Sequence, residues 1–315
     1  LANHGDYLDK PTGDFVEGVV KPTTEAGACS LAVHHKGDPT LVGPATVFFS
    51  HAYHFPLRES LEAMLRHARA KPDEVHYYWY DPVSLNQHNG GQVVPFATLR
   101  DGFSAQIRGI GEVLALMYPY QAPVNLTRCW CLFEIVTALQ SLPRDKVTFV
   151  FSEGDEPAFL EEVGRDHTSA MRALQDIDSA RSKAREEQDK ENIHRLIREG
   201  LGFRHVDGLL AGELRDWQAH TALRLLGERE RAKDDCTFTD LEVATLKYEV
   251  SRMLAATGSI EDALRLAGEV VDVRVRVLAP DSPDLAASYN NLAGLYRDQG
   301  KLDEAEELLL KARRR

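Results

Sequence analysis

Cysteine is scarce in this chain: Cys29, Cys129, Cys131 and Cys236 are the only four in 315 residues. So few, so scattered, they exclude a disulfide framework and suit a reducing compartment, so a cytoplasmic location is expected. Cys129-x-Cys131 is not zinc spacing, and no second Cys or His pair lies near it in sequence, so no metal site is expected. Long apolar runs are also missing. Although 43% of the residues are hydrophobic, none of the runs approaches the roughly 20 residues that cross a bilayer, and no membrane association is expected. Positive charge is in deficit, with 37 Lys and Arg against 49 Asp and Glu. The resulting net charge of −12 argues against a nucleic-acid groove. The chain opens Leu1-Ala-Asn-His without a basic or apolar leader pattern, so no signal peptide is expected within it.

What is present divides into two kinds of pattern, and the length suffices for two folded units. The C-terminal part repeats itself: Gly258-Ser-Ile-Glu-Asp-Ala263 recurs as Gly300-Lys-Leu-Asp-Glu-Ala305. Helical stretches from Tyr248 and Tyr289 precede the two copies, and Leu266 and Leu308 take equivalent places after them. Asn290-Asn-Leu-Ala-Gly-Leu-Tyr296, followed by Gly300 and Ala305, closely resembles the tetratricopeptide repeats of kinesin light chain. The resemblance implies an all-α solenoid fragment over 241–315, with small residues such as Gly294 and Ala305 admitting close helix approach. Its concave face would bind a protein partner. Two repeats are fewer than a stable array needs, so the natural protein is expected to continue into more of them. Residues 229–240 read as a linker.

The larger part alternates short apolar runs with amphipathic segments, the pattern of an α/β fold. Ala45-Thr-Val-Phe-Phe-Ser50 predicts a first strand, with Leu57, Leu61, Met64 and Leu65 on one face of the helix after it. Glu74-Val-His-Tyr-Tyr-Trp79-Tyr80-Asp81 predicts a second strand, and Pro82 to Gln92 a long mobile loop. Val113-Leu-Ala-Leu-Met117 and Lys146-Val-Thr-Phe-Val-Phe151 predict two more strands. Phe159, Leu160 and Val163 mark a helix, Ser179 to Gln188 an exposed charged one, and Leu214 to Leu226 an amphipathic one with Trp217 as a packing residue.

Between the last two strands lies Thr127-Arg-Cys-Trp-Cys-Leu-Phe-Glu134-Ile-Val-Thr-Ala-Leu139. Leu132, Ile135, Val136 and Leu139 recur at helical spacing and leave Glu134 on a different azimuth. Trp130-Cys131-Leu132-x-Glu134 resembles the W-C-L-x-E of plant TIR domains, and Glu134-Ile-Val-Thr-Ala-Leu139 resembles the same helix in an animal TIR enzyme. Trp79-Tyr80-Asp81 through Leu85-Asn86-Gln87 is similar to the fungal heterokaryon-incompatibility domain, a TIR relative. The resemblance implies a flavodoxin-like, mainly parallel sheet flanked by helices. It would occupy 41–228, including a helical C-terminal extension, after an N-terminal extension over 1–40.

It also implies an activity: an NAD+ glycohydrolase or cyclase with Glu134 as catalytic residue, taking NAD+ as substrate and no cofactor. Cleaving the nicotinamide–ribose bond builds positive charge on the sugar, which one carboxylate can stabilise or trap. From position alone, Glu134 could instead pair with an arginine on an exposed helix face. Ser50, His51, Tyr53, Trp79, Tyr80, Asp81, Arg128 and Trp130 are the candidate substrate-binding residues. Trp79 and Tyr80 could line the pocket, although aromatics at the end of a buried strand are more often core; Trp130 and Cys131 read as packing residues that position the helix, and no base accompanies Cys131 to make it a nucleophile. Arg128 stands where plant domains carry serine; Arg128 or Arg100 could meet phosphate. The resemblance further implies activation by self-association of TIR domains, regulation through the repeats, and a place in immune or stress signalling. The alternative is a scaffold that only self-associates and binds a protein partner through its repeats.

Overall fold

A computed structural model describes residues 5–88, 94–172, 177–231 and 239–313. The chain forms two compact units, one of residues 1–155 with 177–210, the other of 156–176 with 211–315.

The first unit is an α/β fold. Its strands β1 (Val47–Ser50), β2 (Tyr78–Trp79), β3 (Val113–Leu116) and β4 (Val147–Val150) form one sheet in the order β2-β1-β3-β4, every pair parallel. β1 and β3 are buried at every position. That explains their unbroken apolar runs, since parallel strands are covered on both faces. Alternate residues feed two cores. Val47, Phe49, Leu114 and Leu116 pack with Leu57, Ala63 and Met64 of the helix Leu57–Ala70, whereas Phe48 and Val113 pack with Ile107 of Phe96–Ile110 and Ala138 of Cys129–Ser141. The second face is aromatic, with Trp79 stacked on Phe48 at 4.7 Å and 9° and Phe103 edge-on to both.

Several expectations change. The described part of the expected N-terminal extension is not peripheral: Phe15, Val19 and Val20 lie in the first core, and Thr12 and Gly13 donate to the carbonyls of Phe55 and Tyr53. Leu65 is 53% exposed; Ser60, Ala63 and His67 take the inner face of that helix instead. The second strand is only two residues long. The expected loop Pro82 to Gln92 opens with a short helix, Asp81–Ser84, in which Pro82 is buried, and continues into Asn86 and His88, which bond Ala28 and Thr24; its residues 89–92 lie outside the described residues. Residues 179–186 are a 3-10 turn followed by non-helical chain, with Ser182 buried and Lys183 bridging to Arg128; the charged helix starts only at Glu187 and runs to Glu199, with Ile193 buried.

The second unit is helical. Phe159, Leu160 and Val163 are buried as expected, and the segment from Leu214 belongs to a single helix, Phe203–Arg231, that begins in the first unit's residues. Most of the expected linker, 232–238, lies outside the described residues. Helices Asp240–Thr257, Ile260–Val277, Pro283–Asp298 and Leu302–Arg313 then form two helical hairpins. Thr239 and Glu242 make a reciprocal capping box that fixes where the first helix starts. Gly258 and Gly300 sit at matching turns with φ of 85° and 77°, the left-handed conformation that disfavours a Cβ. Buried Ala263 and Ala305 occupy matching positions after them. Gly294 does not serve close approach: a Cβ there would meet nothing within 4 Å. Gly300→Ala is therefore expected to destabilise the hairpin by about 1 kcal/mol, and Gly294→Ala to stabilise it by up to about 1 kcal/mol. Denaturant unfolding followed by helical circular dichroism checks both signs; two shifts of the same sign would contradict them.

Candidate active site

The two-residue period of β1 decides where its last polar residue points. Ser50 shares a face with Phe48, the face covered by the helix Cys129–Ser141, and its Oγ donates to Glu134 Oε2 at 2.6 Å. Ser50 is paired with Ala115 of β3, so the contact lies at the carboxyl ends of the two central strands. The chain turns to opposite sides of the sheet after β1 and after β3, which is where open parallel sheets take ligands.

Glu134 is more enclosed than its helical azimuth suggested. It is 8% exposed, because Cys131, Leu132, Ile135 and Ala138 are buried too and the helix is covered on more than one side. No arginine pairs with it among the described residues. Burial pushes its carboxyl up to about 8, against the opposing hydrogen bond from Ser50, and the Asp81 carboxylate pushes in the same direction. At neutral pH the resting group holds a proton.

His51 follows Ser50 and shares the other face. Its ring lies between Phe49 (5.8 Å), Tyr80 (4.6 Å) and Tyr53 (5.6 Å), and its Nε2 bonds Asp81 Oδ1 at 2.7 Å. Tyr53 is 38% exposed; burial and then the Asp81 charge hold its phenol well above the usual range. Asp81 begins the short helix after β2, and its carbonyl accepts from Gln87 Nε2 at 3.1 Å. Arg128 precedes the Glu134 helix, half-buried and without an acidic partner among the described residues; with burial, its charge lowers His54.

Three of the candidates stand apart. Trp79 belongs to the aromatic core with Phe48 and Phe103. Trp130 packs against Phe96, Phe103 and Phe133 and donates from Nε1 to Asp189 Oδ2 at 3.0 Å, so it anchors the helix rather than lining the site. Tyr80 is 5% exposed, its hydroxyl on Thr12 Oγ1, and it supports the His51 ring from within the core. Conversely, Asn125 had no part in the sequence reading. It is wholly buried in the turn Val124–Thr127, its Nδ2 donates to the Ser50 carbonyl at 3.4 Å, and its Oδ1 has no partner among the described residues. The only signal for it was a polar residue just before the W-C-L-x-E segment. Cys131 Sγ donates to the His51 carbonyl at 3.2 Å, and burial, with the Glu134 and Asp81 charges, pushes its thiol far up, which suits positioning and not nucleophilic attack.

Among the described residues the side chains that could jointly hold a cation are Asp166, His167 and Glu249 in the second unit. His167 is bonded to Glu249 at 2.5 Å, Asp166 caps the backbone of Thr168, and Arg252 approaches the Glu249 carboxylate to 3.7 Å. These pairings account for the cluster.

The protonation of Glu134 has a thermodynamic consequence. The folded chain keeps the proton to about pH 8, whereas the unfolded chain releases it near the ordinary 4.5. The native state holds the extra proton in between, so this group's contribution falls as pH rises through that window. Glu134→Gln is expected to match the wild type near pH 5 and to exceed it above pH 8 by on the order of a few kcal/mol. Chemical unfolding at pH 5, 7 and 9 measures this; a difference that stays constant with pH would contradict it.

Comparison with known proteins bears on the second unit. No curated protein and no solved structure matches the chain. Residues 242–315 match the tetratricopeptide repeat family, which assigns the last four helices to that kind of repeat.

Proposed function

We propose that the sheet-bearing unit is a TIR-like domain of the flavodoxin-like type and that Glu134 cleaves the nicotinamide–ribose bond of NAD+. The observation that carries this reading is the hydrogen bond joining Glu134 to Ser50 at the carboxyl ends of β1 and β3. The strand order β2-β1-β3-β4 and the W-C-L-x-E segment support it. A carboxyl group poised near pH 8 is readily ionised by a cation, and the substrate brings one. The pyridinium ring of NAD+ is positive; as the glycosidic bond breaks, the charge moves to the ribose. The carboxylate then stabilises the oxocarbenium ion or bonds to it, with Ser50 donating to its other side. Arg128, a cation without an acidic partner among the described residues, is the candidate for the phosphates. Activation by self-association, control through the repeats and a role in immune or stress signalling belong to the same proposal.

The match of 242–315 to a repeat family favours a second reading, a scaffold whose repeats bind a protein partner and whose sheet unit only self-associates. No described helix is long and apolar enough to cross a membrane, which either reading accommodates.

Incubating the full chain with NAD+ and separating the products by chromatography distinguishes the two. Glu134→Gln is expected to lower cleavage by about a hundredfold or more while the fold persists. The wild-type kcat/KM should rise from pH 6 towards pH 9 as Glu134 ionises. No cleavage by the wild-type chain would leave the scaffold reading, and unchanged turnover in a folded Glu134→Gln protein would remove Glu134 as the catalytic residue. Self-association carries its own test. Specific activity is expected to rise with protein concentration from nanomolar to micromolar, and a flat, high value would show that a single copy suffices.

A further inference from the structure

His51 is held as an acid–base group is held. A carboxylate accepts and cannot donate, so the 2.7 Å contact with Asp81 fixes the ring proton on Nε2. The lone pair of the neutral ring is then on Nδ1. That atom is buried and has no partner among the described residues, and the side chain is only 2% exposed. Aromatic packing against Phe49, Tyr80 and Tyr53 prevents the ring from turning to satisfy it. The adjacent residue is Ser50, bonded to Glu134, and Asn125, which holds the Ser50 carbonyl, has its own orphaned acceptor. Two buried acceptors without donors among the described residues therefore belong to the immediate neighbours of Ser50, one on the next residue and one on the side chain that holds its carbonyl. Leaving such groups unpaired is unfavourable, and a hydroxyl-bearing ligand or water supplies what they lack.

We propose that His51, oriented by Asp81, is the general base that takes the proton from the oxygen nucleophile attacking the ribose. This rests on the reading of Glu134 above. The bond from the anomeric carbon to the pyridinium nitrogen breaks, and its electron pair leaves with nicotinamide, neutralising the ring. A water oxygen forms the new bond to that carbon, and its proton passes to Nδ1. The imidazolium so formed is stabilised through Nε2 by Asp81 and later returns the proton to solvent. The balance is NAD+ and water giving ADP-ribose, nicotinamide and one proton. A ribose hydroxyl attacking in place of water needs the same base.

The chemistry offers a test that a merely structural histidine would not pass. A pyridine base and azide attack through nitrogen with no proton to lose, so neither needs a general base. The full-length chain, as wild type, His51→Gln and Asp81→Asn, is incubated with NAD+ alone and with an excess of 3-acetylpyridine or azide, and hydrolysis and exchange products are quantified separately. His51→Gln is expected to reduce hydrolysis by about a hundredfold and to raise the exchange-to-hydrolysis ratio at least tenfold. Asp81→Asn, which removes the acceptor that fixes the tautomer, moves the ratio the same way. Where His51→Gln fails to fold by circular dichroism, Asp81→Asn alone decides. Hydrolysis and exchange that fall together, with the ratio unchanged, overturn the proposal. Glu134→Gln distinguishes the failure of the underlying reading: it should lose both kinds of product. A wild type that makes neither product, or a Glu134→Gln protein that keeps both, removes the reading of Glu134, and the proposal for His51 falls with it.

Discussion

The parallel pairing of β1 with β3 is the constraint from which the site follows. With Phe48, Phe49 and Ser50 in register with Val113, Leu114 and Ala115, the side chains of β1 have no freedom of face. Phe48 must meet Trp79 and the helices Phe96–Ile110 and Cys129–Ser141; Phe49 must meet the opposite core. Ser50 inherits the face of Phe48 and thereby the helix that carries Glu134. A one-residue slip would send the hydroxyl to the other core and leave the carboxyl without its donor. The aromatic stack on that face thus sets the chemistry two residues away.

The same sheet holds a second buried glutamate, and the comparison shows how differently the two are treated. Glu112 precedes β3 at the amino ends of the strands, bonded by Lys71 and by His67 at 2.9 Å. Burial raises its carboxyl, but the bonds and charges of Lys71 and His67 outweigh that and leave it lowered. Such a pair is an ordinary structural anchor. Among the described residues Glu134 receives only the Ser50 hydroxyl, and Asp81 adds a like charge in place of a cation. An uncompensated acid at the carboxyl ends and a compensated one at the amino ends make a polarity within one fold. That polarity is why Glu134 reads as functional and Glu112 does not.

Much of this was legible in the chain itself, for identifiable reasons. Fully buried strands need unbroken apolar runs, so β1 and β3 stand out, and the repeat turns stand out because glycine best tolerates their conformation at Gly258 and Gly300. Ser50 and Glu134 could be paired because one ends a strand and the other begins the second turn of a helix. What failed depends on azimuth and on distant partners. Trp79 and Trp130 differ from pocket aromatics only in what packs on them, and Leu65 fits an apolar stripe that the sheet does not reach. Asn125 was silent because its role comes from a bond to a residue 75 positions earlier. The depth of Glu134 was missed since one helix's periodicity does not report how many neighbours cover it.

The N-terminal segment alters how the site's surroundings must be understood. Backbone bonds join Lys10, Thr12 and Gly13 to Leu57, Phe55 and Tyr53, so the turn that follows Ser50 and His51 is edged by residues from the start of the chain. Further along, Ala28 and Thr24 bond Asn86 and His88, the segment that follows Asp81. Phe15, Val19 and Val20 then commit the segment to the core. Both stretches that present His51 and Asp81 are therefore tied to one N-terminal element and share its position. The His51–Asp81 contact is short and well oriented because its two halves are braced by the same segment, and a loop free to move after β2 would not hold an imidazole tautomer in place. Residues between Lys10 and Ala28 thus brace the backbone around two side chains as well as filling the core, a use of sequence that no motif announces.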